Sequence, residues 1–142
     1  MKTTVPNNPG ENRKWHVVDA ADKPLGRLAV AIANVLRGKN RADFDPAVDL
    51  GDFVIVLNAR KVRLTGKKED QKKYETYSGW RGGHKYFTVE TMREKHPEKM
   101  IQEAVWGMLP KNNIARNMMT RLRVFAEGEH THAAQKPEAF KF

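Results

Sequence analysis

The segment "LGRLAVAIANVLRGK", Leu25 to Lys39, predicts an amphipathic α-helix. Apolar side chains recur along it at steps of three and four, the spacing that places residues on one face of a helix; they are Leu25, Leu28, Ala29, Ile32, Val35 and Leu36. Gly38 follows this stripe and is a typical residue for ending a helix. The predicted helix therefore has one face that must be buried against another layer of the protein.

Strands are predicted on both sides of this helix. "WHVVDA", Trp15 to Ala20, has β-branched residues at its centre, which favours a short strand. "FVIVLN", Phe53 to Asn58, is apolar at successive positions, so we expect a strand that is covered on both faces. A strand, a crossover helix and a second strand form a right-handed βαβ unit. The sequence therefore predicts a single α/β domain, with helices on both faces of a small, mainly parallel sheet.

Shorter elements are predicted around this unit. "KVRLTG", residues 61–66, and "KKYETY", residues 72–77, are strand candidates, the second at an edge. "TVETMREKH" and "PEKMIQEAVWGML" predict two helices divided at Pro97, since proline suits a first helical turn. In the second helix an apolar stripe is formed by Met100, Ile101, Ala104, Val105, Met108 and Leu109. We expect an extended arm over residues 1–13, a domain over 14–127 and a C-terminal tail over 128–142.

Composition excludes several classes of protein and favours one class of partner. Cysteine is absent, which excludes disulfides and thiolate metal sites and fits a reducing cytoplasm. The longest apolar runs are too short to cross a bilayer, and the polar N-terminus does not resemble a secretory signal. The formal net charge is +9, and nearly all of the excess lies beyond residue 58, where 18 Lys and Arg face 10 acids. This asymmetry favours a polyanionic partner.

The segment "WGMLPKNNIARNMMTRLRVF", residues 106–125, is one candidate for contact with such a partner. It carries four cations from Lys111 onward and no carboxylate. If residues 112–123 are helical, Ile114, Met118 and Leu122 share one face, while Arg116 and Arg123 lie on the opposite one. Asn112 or Asn113 can cap the helix, whose N-terminus favours phosphate. A solvated face is the alternative, but such faces usually mix both signs of charge.

A second candidate runs from Arg60 to Phe87 and interleaves cations with aromatic rings. Up to Lys85 it holds nine Lys and Arg against three acids, with rings at Tyr74, Tyr77, Trp80 and Tyr86. Cations bind phosphates, and ring faces stack on unpaired bases, so this composition is typical of RNA binding. We expect Tyr74 and Phe87 to be buried and Trp80 to contact a partner. The glycines around Trp80 would let the backbone approach a groove.

Catalytic and metal sites find little support. "GWRGGHK", residues 79–85, lacks the spacing of a P-loop, and "PLGRLA" lacks that of a dinucleotide site. His130 and His132 could ligate a metal together if the segment were extended, but no third ligand is evident. We interpret the segment instead as a polar tail that crosses RNA or a neighbouring protein. His16, His84 and His96 have no adjacent carboxylate, and Asp49 and Asp52 are interpreted as turn or capping residues, with metal binding as an alternative. We therefore expect no catalytic residue, metal, cofactor or small-molecule substrate.

Eight stretches resemble one family in order and spacing, from about Trp15 to Gln135. They are "WHVVDA", "LGRLA", "VLRGK", "VDLGDFVIVLNA", "VRLTGKK", "YSGWRGG", "AVWGMLPKN" and "RLRVFAEGEHTHAAQ". "GMLPKN" followed by "HTHAAQ" is the most specific pair. On these motifs the chain resembles the bacterial large-subunit ribosomal protein L-thirteen (L13) family.

The resemblance implies a fold and a role. It implies a three-layer α/β/α domain around a four-stranded parallel sheet, with basic extensions. It also implies a structural, non-enzymatic protein of the cytoplasmic large ribosomal subunit that binds ribosomal RNA, contacts neighbouring ribosomal proteins and supports early subunit assembly. A further role in binding messenger RNA and repressing its translation is implied for some bacterial members.

Motif matches and the charge pattern together give the predicted RNA-binding residues. They are Arg60, Lys61, Lys67, Lys68, Lys72, Lys73, Trp80, Arg81, Gly82, Gly83, Lys85, Lys111, Asn112, Arg116, Arg121 and Arg123. Two alternatives stay open from the sequence alone. One is a free-standing RNA-binding regulator, and the other is a nucleotide-dependent enzyme built on the βαβ unit.

Overall fold

A computed structural model describes residues 5–6 and 13–141 of the chain. Most of the predicted arm over residues 1–13 lies outside these described residues.

The predicted βαβ unit is confirmed. Strand β1 spans Trp15–Asp19, helix α1 spans Leu25–Arg37 and strand β2 spans Phe53–Leu57. The two strands are parallel and in register, with Trp15 opposite Phe53. Gly38 ends α1 in the left-handed conformation, with φ of 77°, and its amide donates to the Val35 carbonyl over 3.0 Å. Glycine adopts this conformation without the steric cost that a Cβ would bring.

Two further strands complete a parallel four-stranded sheet. Strand β5 spans Leu122–Val124 and pairs with β2, and strand β6 spans Glu138–Ala139 and pairs with β1. The order across the sheet is β5-β2-β1-β6. The segment over residues 128–142, which the sequence predicts as a tail, thus contributes an edge strand to the domain.

The long helices share one side of this sheet. Between β2 and β5 the chain forms α2 over Lys68–Gln71, α3 over Val89–Lys95, α4 over Pro97–Met108 and α5 over Asn113–Thr120. The predicted division at Pro97 is confirmed, because this proline is the first residue of α4. Helices α1, α4 and α5 contact one another. Together with the sheet they bury a core whose larger members include Leu28, Ile32, Leu36, Val54, Val56, Met100, Ile101 and Val105.

The other face of the sheet is covered by a thinner layer. The rings of Trp15 and Phe53 stack there with centroids 4.2 Å apart. His132, from the chain that follows β5, lies 5.1 Å from the Trp15 ring and 6.0 Å from the Phe125 ring. This covering segment includes a 3₁₀ helix over Ala133–Gln135 rather than a long α-helix. His132 therefore packs on aromatic rings, which gives it a structural role.

Two strand predictions need correction. "KVRLTG" is not a strand: a 3₁₀ helix covers Ala59–Lys61, and Arg63 makes a single bridge with Pro24. "KKYETY" does form a strand, β3 over Lys73–Tyr77. It pairs in antiparallel fashion with β4 over His84–Thr88, and the two make a separate hairpin rather than an edge of the main sheet.

Candidate nucleic-acid interface

The β3–β4 hairpin presents the residues between its strands to solvent. Tyr77 pairs with His84, and Ser78 to Gly83 close the turn. Gly79 and Gly82 have φ of 86° and 74°, values that favour glycine. A Cβ on Gly83 would come within 2.1 Å of the Ser78 hydroxyl oxygen. The glycines predicted to allow close approach to RNA are therefore needed first to build this turn.

The two faces of the hairpin have different roles. Tyr74 is 6% exposed and, with the half-buried Phe87, packs against the core, as predicted. Burial, followed by the charge of Glu103, raises the pKa of Tyr74 to about 12, so its hydroxyl stays neutral. The opposite face carries Tyr77 and Tyr86, which are 57% and 62% exposed. One face thus anchors the hairpin and the other is available to a partner.

An aromatic ladder runs along the exposed face. The Tyr77 and His84 rings stack with centroids 4.3 Å apart, and the Tyr86 ring follows 6.4 Å from His84. No carboxylate is adjacent to His84 in the sequence, but the hairpin brings its Nδ1 to 2.6 Å from Glu75 Oε1. Such an array of ring faces can stack on unpaired bases.

Trp80 is the most exposed large apolar residue in the described part of the chain, at 79%. It lies in the turn beside Arg81, which is also exposed, and Lys85 is exposed on β4. Burying an indole on a partner is strongly favourable, and neighbouring cations can contact phosphates at the same time. We call Lys73, Tyr77, Trp80, Arg81, Lys85 and Tyr86 the hairpin surface.

Helix α5 carries the second group of predicted residues, and it is shorter than expected. The predicted helix over 112–123 ends at Thr120, and Leu122–Val124 forms strand β5 instead. The Asn112 cap is confirmed, since its Oδ1 accepts from the Ala115 amide over 2.9 Å. Met118 and Leu122 are buried, while Arg116 on the helix and Arg123 on the strand are both exposed.

Lys111 lies just before this helix and is held against α4. Its ammonium group donates to the Trp106 carbonyl and lies 4.5 Å from the centroid of the Trp106 ring. Neither partner carries a formal charge, so the positive charge of Lys111 remains available to an anion. We call Lys111, Asn112, Arg116 and Arg123 the α5 surface.

Arg121 has to be removed from the predicted RNA-binding residues. It is 4% exposed, and its guanidinium group donates to both carboxylate oxygens of Asp49 over 2.5 Å and to the Leu36 carbonyl over 3.3 Å. A buried arginine with this bidentate partner is a structural ion pair. Arg121 therefore holds the fold together and does not face a partner.

The acids expected to cap turns have the same structural role. Asp49 pairs with Arg121 and lies 3.6 Å from Arg13. Asp52 is 4% exposed, accepts from the Lys14 amide over 3.1 Å and lies 3.3 Å from Nε2 of His16. No carboxylate is adjacent to His16 in the sequence, but the fold brings Asp52 to its ring. Within residues 5–6 and 13–141, no group of three or more His, Asp or Glu is placed to hold a metal ion.

The remaining predicted cations lie between β2 and the hairpin. Arg60 and Lys61 are exposed on the 3₁₀ helix that follows β2, and Lys67 and Lys68 are exposed at the start of α2. Lys72 is half-buried, with its Nζ 4.8 Å from the centroid of the Tyr74 ring. All of these cations except Lys72 are well exposed, so they can contact a polyanion.

Arg93 organises this basic segment, and sequence reasoning missed it. Its guanidinium group donates to the Val62 carbonyl over 3.2 Å and to the Glu69 carboxylate over 2.8 Å. Both partners lie more than twenty residues earlier in the chain, so no local pattern could have identified them. Arg93 fixes α2 relative to α3 and thereby sets the direction of the lysines on α2.

None of the helices in the described residues is long and apolar enough to span a membrane. The features that the structure does present are exposed cations and aromatic rings on a rigid α/β body.

Comparison with known proteins identifies the family. The sequence matches the family model described as Ribosomal protein L13 over residues 13–131. It is 54% identical over 142 residues to the large ribosomal subunit protein uL13 of Clostridioides difficile, with 100% of this chain and 99% of that protein covered. The protein of the same name from Agathobacter rectalis is also 54% identical, with both chains fully covered, and that from Picosynechococcus sp. is 52% identical over 138 residues, covering 97% of this chain and 91% of its own. Because the family model spans most of the chain and close relatives align along its whole length, the chain belongs to the ribosomal protein L13 family.

Proposed function

We propose that the chain is a structural constituent of the large ribosomal subunit that holds ribosomal RNA through the hairpin surface and the α5 surface. Membership of the ribosomal protein L13 family supports a structural, non-enzymatic role. Full-length relatives that are 52–54% identical carry the name large ribosomal subunit protein. Neighbouring ribosomal proteins are the other expected partners in such a particle.

The observation that carries the RNA-binding part of this proposal is the exposure of Trp80 between cations on an anchored hairpin. Trp80 is 79% exposed, whereas Tyr74 on the same hairpin is 6% exposed. Exposing an indole to water is unfavourable, so a surface of this kind is usually covered by a partner. Arg81, next to Trp80 in the turn, favours a partner with phosphates.

The charge distribution supports the same partner. The excess of cations lies mostly beyond residue 58, and the cations of both surfaces are exposed. Each phosphate that a Lys or Arg neutralises releases bound counterions, which favours binding at moderate salt. If the two surfaces make roughly six phosphate contacts, the logarithm of affinity should fall with the logarithm of salt with a slope of about −5.

We also propose that these contacts support subunit assembly. A rigid body that bridges separate stretches of RNA restricts their relative positions, and it can do so before the particle is complete. The two surfaces lie on different elements, the β3–β4 hairpin and α5 with β5, and each could contact its own stretch of RNA.

Sedimentation of a cell lysate tests the proposal. The chain should comigrate almost entirely with large subunits, and Arg116→Glu with Arg123→Glu should reduce its incorporation while leaving the unfolding midpoint unchanged. Lys95→Glu with Lys99→Glu is the matched control, because both lysines are exposed and lie outside the two surfaces. A pool that is mainly free, or bound to messenger RNA, would contradict the proposal.

A further inference from the structure

An open groove lies outside both surfaces. It has a volume of about 710 Å³ and lies between the start of α1, the segment from Arg63 to Lys72 and the end of α4. Its charged lining consists of Arg27, Arg63, Lys68 and Lys72. No acidic side chain is among the described residues that line it. Four cations and no acid around one groove favour an anionic ligand.

The backbone brings two of these cations together across a long sequence distance. The Leu25 amide donates to the Arg63 carbonyl, and the Arg63 amide donates to the Lys23 carbonyl, each over 3.0 Å. This two-way pairing holds Arg63 beside the first turn of α1, where Arg27 lies. The arrangement is therefore part of the fold and does not depend on flexible side chains meeting by chance.

The other wall of the groove is fixed by Arg93. Its ion pair with Glu69, over 2.8 Å, ties α2 to α3, and its hydrogen bond to the Val62 carbonyl ties both to the chain beside α1. Lys68 is the first residue of α2, and Lys72 directly follows its last residue. Glu69, one of the two acids on α2, is thus engaged by Arg93.

The cations of the groove keep their charge available. In the described part of the chain, Arg27, Arg63 and Lys68 are exposed and form no ion pair. Lys72 lies over the Tyr74 ring, which carries no formal charge to neutralise it. Four like charges facing one space repel each other weakly through water. A polyanion in the groove would replace this repulsion by attraction.

The shape of the groove favours a chain of phosphates over a small nucleotide. It is open to solvent, and its cations come from three separate parts of the chain. Met108, 39% exposed, adds an apolar patch at one end. The first turn of α1 carries no acid, and Gly26 leaves its backbone accessible, which adds to the positive potential there.

We propose that this groove is a third RNA contact, in which Arg27, Arg63, Lys68 and Lys72 bind the phosphodiester backbone of ribosomal RNA. The proposal rests on the proposed function, since it takes the RNA of the same particle as the ligand. It adds Arg27 and Arg63, which belong to neither the hairpin surface nor the α5 surface.

Release of the full-length chain from isolated large subunits by increasing salt tests the groove. We expect Arg27→Gln with Arg63→Gln to be released at lower salt than the unaltered chain, with retention roughly tenfold weaker at a fixed salt concentration. The slope of log retention against log salt should decrease in magnitude by about 1.5. Lys95→Gln with Lys99→Gln removes the same charge from an exposed site outside the groove and should behave like the unaltered chain.

A second variant adds an acid without removing any existing contact. A Cβ on Gly26 would meet no atom within 4 Å, so Gly26→Glu has room. Replacing glycine and placing an acid in the first turn both favour the helix, so its unfolding midpoint should stay the same or rise. We nevertheless expect the Gly26→Glu chain to be released from large subunits at lower salt than the unaltered chain. Lys39→Gln, with the same change in net charge beyond the far end of α1, is the control.

The outcomes separate the groove from the proposed function. If the unaltered chain is missing from large subunits, the proposed function fails and the groove proposal falls with it. If the chain is present but both groove variants are released like their controls, only the groove proposal is overturned. Calorimetry with ATP tests the alternative that the groove binds a nucleotide. Stoichiometric ATP binding by the unaltered chain, lost in the Arg27→Gln, Arg63→Gln double variant, would indicate a nucleotide site. If that double variant were also released from subunits like the unaltered chain, the proposal would be overturned.

Discussion

Arg121 and Asp49, which are 72 residues apart in the sequence, form a bidentate ion pair with both nitrogen–oxygen distances at 2.5 Å. Arg121 directly precedes β5, and Asp49 lies in the connection between α1 and β2. The same guanidinium group donates to the Leu36 carbonyl near the end of α1. One side chain thus ties the edge strand, the connection and the first helix together.

Arg121→Ala should destabilise the protein by about 2–3 kcal/mol. Removal of one partner of a fully buried pair costs roughly 3–5 kcal/mol. We expect less here because the Asp49 side chain is 22% exposed to solvent. The change leaves Asp49 without its main partner and the Leu36 carbonyl without a donor. Urea unfolding monitored by tryptophan fluorescence measures the loss.

Arg123→Ala, two residues further on, is the matched control. Arg123 is exposed, so its loss should change stability by less than about 0.5 kcal/mol while weakening retention on the large subunit. If Arg121→Ala proved as stable as Arg123→Ala, the ion pair would not have the structural role given to it.

Stability should depend on pH through Asp52. Burial alone would raise the pKa of Asp52, but hydrogen bonds from His16 and the Lys14 amide, with the charges of His16 and Arg41, outweigh it and lower the pKa below its ordinary value of 3.8. A carboxyl group whose pKa is lower in the folded state stabilises that state at higher pH, and this contribution is lost as the pH falls below about 4. The free energy of unfolding should therefore decrease over this range.

Asp52→Asn isolates this contribution. The variant cannot lose a proton at this position, so its unfolding free energy should fall less steeply below about pH 4 than that of the unaltered chain. Urea titrations at several pH values give both slopes. Equal slopes would show that Asp52 does not carry the dependence.

Gly51→Ala should destabilise the protein by at least about 2 kcal/mol, near the upper range for overpacked sites. A Cβ there would lie 1.7 Å from the Leu36 carbonyl oxygen, a backbone atom at the end of α1 that cannot move alone. Gly107→Ala on α4 is the control, since its Cβ would meet no atom within 4 Å and alanine favours a helix by about 0.5–1 kcal/mol. Thermal unfolding of both variants measures the difference, and equal midpoints would contradict the close approach.

Trp80→Ala should weaken retention on the large subunit without affecting the fold. The side chain is 79% exposed, so its loss should change stability by less than about 0.5 kcal/mol. Stacking on a base contributes about 1–3 kcal/mol, so release should occur at clearly lower salt. Tyr74→Ala is the contrasting control, because removal of this buried ring should lower the stability of the fold. A Trp80→Ala chain that is retained normally would exclude base stacking at this position.

Periodicity predicted the elements whose own sequence determines them. The stripe of α1, the apolar run of β2 and the proline at the start of α4 are local signals, and all three elements lie where predicted. Strands β5 and β6 have three and two residues, too short to show a pattern. Their positions depend on pairing with β2 and β1, which are distant in sequence.

In the candidate site too, features set by local sequence were predicted, and features set by distant contacts were not. The exposure of Trp80 was predictable from its glycine neighbours and the cations around it. Arg121 was misplaced because its burial depends on Asp49, and the groove was missed because Arg27 and Arg63 meet only through the pairing of residues 23–25 with 63. Contacts of this kind follow from the topology of the chain rather than from local spacing.

Ultraviolet crosslinking of intact large subunits, followed by mass spectrometry of the peptides attached to RNA, shows whether the hairpin surface and the α5 surface contact ribosomal RNA. RNA crosslinks are expected on the peptides that contain Trp80, Arg116 and Arg123, and none is expected on the peptide that joins α3 to α4 through Lys95 and Lys99. Subunits that contain the chain but yield no crosslink at the hairpin surface or the α5 surface would contradict the proposed function.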